Sequence, residues 1–201
     1  MDRNGPCSSP AADSPAAASA AAGIPVGQAR APTRGEVAMC RDVFGDAIDY
    51  PRVRVYNRKF WFAQPPRMAM APNGNIYFHP SRYLDDFARA PVLTRAWFIH
   101  EMGHVWQHQQ GVNVYMAMLN RVYDYASRFG RCRFEELGLE QQCEVAADYY
   151  LLRHGCRPCW GNWPIEEYER LLPFRPRPRA PACDPPAVSE LPSHGEARKL
   201  R

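Results

Sequence analysis

The segment WFIHEMGHVWQHQQG, residues 97–111, carries three of the chain's six histidines four residues apart, with Glu101 directly after the first. On a helix, residues four apart stack on one face, so His100 and His104 can aim two imidazoles at one ion. Glu101 is turned away by about a quarter of a circle. The HExxH pattern therefore supplies two zinc ligands and a carboxylate able to take a proton from a metal-bound water as that water attacks a carbonyl. His108 continues the spacing but lies about 12 Å along the axis from His100, too far to share the ion. It is expected to be partly exposed or at the edge of the core. The longer signature HExxHxxGxxH fails, because Gln107 stands at the glycine position and Gln110 at the third histidine.

A third protein ligand is needed. Glu144, in EQQCEVAADYYLL, is the candidate, and Glu140 one turn earlier is the reserve. Asp148, one turn later on the same face, is placed to accept the N–H of a ligating histidine and fix its tautomer. Val145, Ala146, Ala147, Tyr149 and Leu151 surround these carboxylates with apolar or small side chains, which points to partial burial.

The rest of the chain supplies a scaffold. Met1 to about Pro32 is rich in Ala, Pro and Ser, with too little apolar surface to offset the entropy of ordering, and is expected to be disordered. Thr33 and Glu36 have capping-box spacing ahead of Val37, Cys40, Val43 and Phe44, a helix that Gly45 should stop. RVRVYN (52–57) alternates as a half-buried strand, and 68–78 reads as a hairpin around Pro72, Asn73 and Gly74. A short helical piece near 83–88 precedes the motif helix, which should run from Pro91 to Gly111. Further helices are expected over about 112–129, on Val114, Met118, Val122 and Tyr125, and over about 134–154. From residue 175 the Pro/Arg-rich RPRPRAPACDPP should be an extended tail. The expected fold is α+β over 33–174, with a small antiparallel sheet followed by a helical half holding the HExxH helix and a later Glu-bearing helix.

Composition narrows the function classes. The net charge of +4 comes almost wholly from arginine, without the basic stripe and interleaved aromatics of a nucleic-acid groove, so no nucleic-acid partner is expected. No stretch approaches the roughly 18 to 20 apolar residues of a membrane span. The N-terminus lacks an apolar signal core, so a cytoplasmic location or export by a non-Sec apparatus is expected. The seven cysteines are odd in number and irregular in spacing, which argues against a disulfide framework. Cys156 and Cys159 have CxxC spacing, but they follow a helix end rather than a strand and are read first as ordinary thiols, with an auxiliary metal site or a redox pair as the alternatives. The aromatics Trp160, Trp163, Tyr168 and Phe174, and those of NRKFWFAQPP (57–66), are read as cover for the core.

HEMGH followed about 40 residues later by EVAAD resembles the gluzincin branch of zinc metallopeptidases. More narrowly, MAMAPNGNIYFHPSRY ahead of HEMGHVWQHQQG is similar to the small zincin-like proteins found with bacterial Rhs and Vgr-type secretion genes, the Vgr-related proteins. The resemblance implies a minimal zincin-like domain with zinc held by His100, His104 and Glu144, Glu101 as catalytic base, and Asp148 in support. It implies hydrolysis of peptide bonds, with a peptide or protein substrate lying along a strand edge around Ile76 to Phe78 and a secretion-apparatus protein as a further partner. The other expectation is a catalytically inactive accessory or cargo protein on the same scaffold. Gluzincins also use a Tyr or His to stabilise the oxyanion, and Tyr115, Tyr123, Tyr150 and His154 are all open candidates.

Overall fold

The computed structural model describes residues 23–115 and 122–175. Its elements run β1 (Ala29–Arg30), α1 (Arg34–Phe44), β2 (Val55–Asn57), β3 (Ala69–Met70), β4 (Ile76–Phe78), α2 (Val92–Gln109), α3 (Leu139–Arg153) and α4 (Ile165–Leu171). Single 3-10 turns lie at Tyr50–Arg52, Phe87–Arg89 and Phe134–Glu136. Among the described residues the architecture is α+β, a small sheet with four helices. No helix among the described residues is long and apolar enough to cross a membrane.

One buried carboxylate organises the N-terminal half. Glu36 accepts from Thr33 N at 2.8 Å while the Thr33 hydroxyl accepts from Glu36 N at 3.0 Å, completing the capping box of α1. The same carboxylate takes both guanidinium nitrogens of Arg30 at 2.6 Å and Phe87 N at 2.8 Å. Glu36 thereby ties β1, α1 and the turn that leads to α2. Ala29 and Arg30, assigned by composition to the N-terminal tail, are thus part of the sheet. Residues 1–22 and 176–201 of the expected tails lie outside the described residues.

The strand order is β1-β2-β4-β3, antiparallel for β1/β2 and β3/β4 but parallel for β2/β4. The expected all-antiparallel sheet is therefore corrected to a mixed one. Gly74, at φ 77°, makes the tight turn of the β3–β4 hairpin, and it is the second arm of that hairpin that docks on β2. This puts β3 at the sheet edge and β4 inside. The strand edge assigned to Ile76–Phe78 moves to Ala69–Met70.

The crossover from β2 to β3 is held by Gln64, 2% exposed, which accepts from Phe60 N and donates to Met68 O and Tyr77 O. Pinned this way, the loop leaves Trp61 and Phe62 outside, at 44% and 85% exposure, contrary to their expected packing.

The motif helix α2 starts after Pro91 and ends before Gly111, at φ 82°, as expected. Phe98, Ile99, Met102 and Val105 are wholly buried along it, and Phe78, Phe87 and Phe98 stack in sequence, with ring centroids 4.2 and 5.1 Å apart. Its neighbour is α3. A Cβ on Gly103 would lie 2.8 Å from Cys143 Sγ and 3.3 Å from Cys143 Cα, so the helices approach as closely as they do because residue 103 has no side chain. Alanine there gains about 1 kcal/mol of helix propensity, but overpacking against backbone costs about 1–3 kcal/mol. We expect Gly103→Ala to be destabilised by about 1–2 kcal/mol in urea denaturation and to bind metal more weakly. Unchanged stability and metal affinity would show that the helices separate freely.

The helix expected over 112–129 is not found among the described residues. Residues 122–125 are irregular, a turn follows to Gly130 at φ 70°, and Met118 lies outside the described residues. Tyr125 is the reason: it is fully buried and its hydroxyl donates to Asp148 Oδ2 at 2.6 Å, so the segment is shaped by a polar tertiary contact rather than by an apolar stripe. α4 was not expected. It brings Tyr168 into the core, while Phe174 meets Phe44 and Trp106 at 4.9 and 4.8 Å and Trp163 stacks on Phe129 at 4.1 Å, bearing out their role as core cover.

Candidate metal centre

His100 and His104 lie on the face of α2 that meets α3, 5% and 6% exposed. Their Nε2 atoms approach one oxygen, Glu140 Oε2, at 3.1 and 3.2 Å. A tetrahedral zinc with ligands at about 2.0–2.1 Å has ligand–ligand edges of about 3.3–3.4 Å. The two nitrogen–oxygen separations are therefore close to the spacing that a shared ion sets. The reserve carboxylate, Glu140, is the one the fold brings to both imidazoles.

Glu144, the first choice from sequence, sits elsewhere. Its Oε1 is 3.0 Å from Nδ1 of His100, on the far side of that ring, a close contact whose alignment falls short of an ideal hydrogen bond. Its Oε2 accepts from the indole N–H of Trp160 at 3.0 Å. Asp148 reaches neither histidine. It accepts from Tyr125 Oη, from Cys159 N at 2.7 Å and from Trp160 N at 3.0 Å. Burial pushes its carboxyl up to about 6, against the opposing pull of these donors. The sequence pattern is thus displaced by one helical turn: Glu140 faces the imidazole pair, Glu144 backs His100, and Asp148 anchors the following loop.

The tautomers follow from the second contacts. Gln107 Nε2 donates to Leu139 O and Gln142 Oε1, both at 2.9 Å, which leaves Gln107 Oε1 to accept from His104 Nδ1–H at 2.9 Å. With Nδ1 protonated, the lone pair of His104 Nε2 points toward Glu140. A carboxylate 3.0 Å from His100 Nδ1 favours the same tautomer there. In that tautomer the Nε2 atoms and the Glu140 oxygen form a donor set able to hold a cation. Gln107, the residue that breaks the longer zincin signature, is the one that orients His104. Position alone in the sequence gave no signal of it.

Glu140 is 7% exposed; burial acts to raise its carboxyl, but the two imidazoles hold it well below the usual carboxylate range. Glu101, 4% exposed, is raised by burial, partly offset by His100 and His104, and its Oε2 has no hydrogen-bond partner among the described residues. It lines the same cleft as the two histidines and Glu140, with edge strand β3, Trp97 and Tyr123 forming other walls. Tyr123 lies with its ring 6.1 Å from that of His100. Of the other oxyanion candidates, Tyr150 packs on His154 at 4.2 Å, and neither these two nor Tyr115 lines the cleft.

A second donor set exists. His100, His104 and Cys143 have ligand atoms within 4.8 Å of one another, and Cys143 Sγ is 3.4 Å from His104 Nδ1. That nitrogen already has Gln107 as its partner, so it directs no lone pair at an ion shared with Cys143. The Glu140 set fits zinc better. His108 is exposed, beside Gly74. Cys156 and Cys159 are half-buried, and burial raises the Cys156 thiol, the opposite of an activated redox cysteine.

Among solved structures, the effector domain of Pseudomonas aeruginosa VgrG2b matches with a TM-score of 0.56 and 35% identity, over 66% of this chain and 79% of that one. The chain belongs to the VgrG2b effector-domain family. The type VI secretion system spike protein VgrG2b of Pseudomonas aeruginosa is 37% identical over 132 residues, which make up 61% of this chain but only 13% of the spike protein. This family member therefore corresponds to a small part of that relative. No family model matches the chain. The Vgr relationship read from HEMGH and the segment before it is borne out.

Proposed function

We propose that this chain is a zinc-dependent peptidase of minimal gluzincin type, delivered as an effector by a type VI secretion apparatus with a spike protein as its partner. The convergence of His100 Nε2, His104 Nε2 and Glu140 Oε2 at 3.1–3.2 Å, beside buried Glu101, carries the reading. Delivery is inferred from the VgrG2b relationship.

Zinc held by His100, His104 and Glu140 would supply Lewis acidity, polarising a scissile carbonyl and making water acidic near neutral pH. The protein does the rest. An extended peptide adds to the free edge of β3, its main chain pairing with Ala69–Met70 and its scissile bond reaching the cleft floor. Glu101 takes the proton from the attacking water on Oε2 and returns it to the departing amine nitrogen. Burial raises its proton affinity, which favours taking the proton from water. The Tyr123 hydroxyl, on the cleft wall, donates to the carbonyl oxygen as charge develops there.

Two measurements test this. The purified, zinc-loaded chain should cleave members of an unstructured peptide library, lose that activity to a chelator and regain it with zinc. Stoichiometric zinc without turnover on any peptide would favour the inactive accessory or cargo role. Tyr123→Phe should lower kcat by about 100- to 1000-fold with zinc affinity unchanged, the scale for loss of one oxyanion donor. An unaltered kcat would remove Tyr123 from the mechanism.

A further inference from the structure

The loop after α3 is fixed by Asp148 more firmly than a surface connection needs. Asp148 is wholly buried, and its two oxygens capture the backbone N–H groups of Cys159 and Trp160. Tyr125 Oη donates to it at 2.6 Å and is itself 2.9 Å from Tyr168 Oη on α4. Three separate segments thus set the place of residue 160. The result is that the Trp160 indole N–H lies 3.0 Å from Glu144 Oε2, while Glu144 Oε1 lies 3.0 Å from His100 Nδ1.

We infer that Trp160 is a positioning residue for the metal centre: its indole N–H holds the Glu144 carboxylate, which in turn orients the His100 ring. The inference rests on the zinc reading above. A carboxylate backing a metal-ligating imidazole fixes its tautomer and plane, and such partners are themselves held by hydrogen bonds. Glu144 is 0% exposed, so its orientation is set by protein donors and not by bulk water. The indole supplies one, from a loop that Asp148 anchors. The Asp148 hydrogen bonds act on the backbone of that loop and are linked to the metal site by Trp160. A tryptophan in a Cys- and Pro-containing loop, sixteen residues after Glu144, is otherwise indistinguishable from core cover.

The test compares Trp160→Phe, which keeps an aromatic ring and deletes the N–H, with Trp163→Phe, a tryptophan that stacks on Phe129 away from the cleft. Zinc affinity is read by competition with a chelator. We expect Trp160→Phe to bind zinc about 10- to 100-fold more weakly, the usual loss for an orienting partner, and Trp163→Phe to bind as wild type. In the zinc-loaded protein the Nδ1 proton of His100, followed by NMR, should be sharp and downfield in wild type and broadened in Trp160→Phe. Glu144→Gln should reproduce the affinity loss, and the double variant should lose no more than Glu144→Gln alone, because both changes break one chain of contacts. Additive losses, or wild-type affinity with an unchanged His100 proton in Trp160→Phe, overturn the positioning role alone. A wild-type chain that takes up no zinc overturns the metal reading with it.

Discussion

Glu101→Gln is expected to keep stoichiometric zinc and to lose about 100- to 10,000-fold of peptide hydrolysis, the range that general acid–base catalysis contributes. The amide is nearly isosteric, and the Nε2 atoms that the metal needs face Glu140, so binding should be spared. What disappears is a proton acceptor in the cleft wall. Glu101 Oε2 is buried with no partner among the described residues, an arrangement that costs stability unless the group is used. Removing its charge should also leave the fold as stable or slightly more so, since burial penalises the ionised form. The measurements are kcat/KM on a cleaved peptide, zinc content and the unfolding midpoint. A variant that retains activity would reject Glu101 as the base.

The second large effect separates two carboxylates that sequence places on one helical face. Glu140→Ala removes the oxygen that meets both imidazoles and leaves the two Nε2 lone pairs facing each other with one ligand missing. Zinc affinity should fall well beyond the about 10- to 100-fold expected of Glu144→Ala, which strips only the backing of His100. The order Glu140→Ala below Glu144→Ala below wild type, measured by chelator competition, is the expected result. The reverse order would restore Glu144 to the ligand position.

How far the chain could be read in advance depends on the distance over which each interaction acts. The capping box at Thr33 and Glu36, the hairpin around Gly74 and the limits of α2 at Pro91 and Gly111 are local, governed by neighbours within a few residues, and they were legible. His100, Glu101 and His104 were legible as well, because helical spacing alone puts them on adjoining faces. The choice between Glu140 and Glu144 was not. Both stand on the same face of α3, one turn apart, and only the placement of α3 against α2, set by the contact of Gly103 with Cys143, decides which oxygen reaches the histidines. Tyr125 shows the same limit: its spacing matches an apolar helical face, yet its hydroxyl serves Asp148 and the segment is irregular. Gln107, Gln142 and Trp160 carry polar contacts between residues 16 to 35 apart in sequence, which no periodicity encodes.

The most direct test of the central claim is a crystal structure of the zinc-soaked protein at the zinc absorption edge. The account predicts an anomalous peak about 2.0–2.2 Å from His100 Nε2, His104 Nε2 and a Glu140 carboxylate oxygen, with one side open to the cleft and Glu144 outside the ligand shell. A peak bonded to Cys143 or Glu144 in place of Glu140, or no peak between α2 and α3 at saturating zinc, would contradict it.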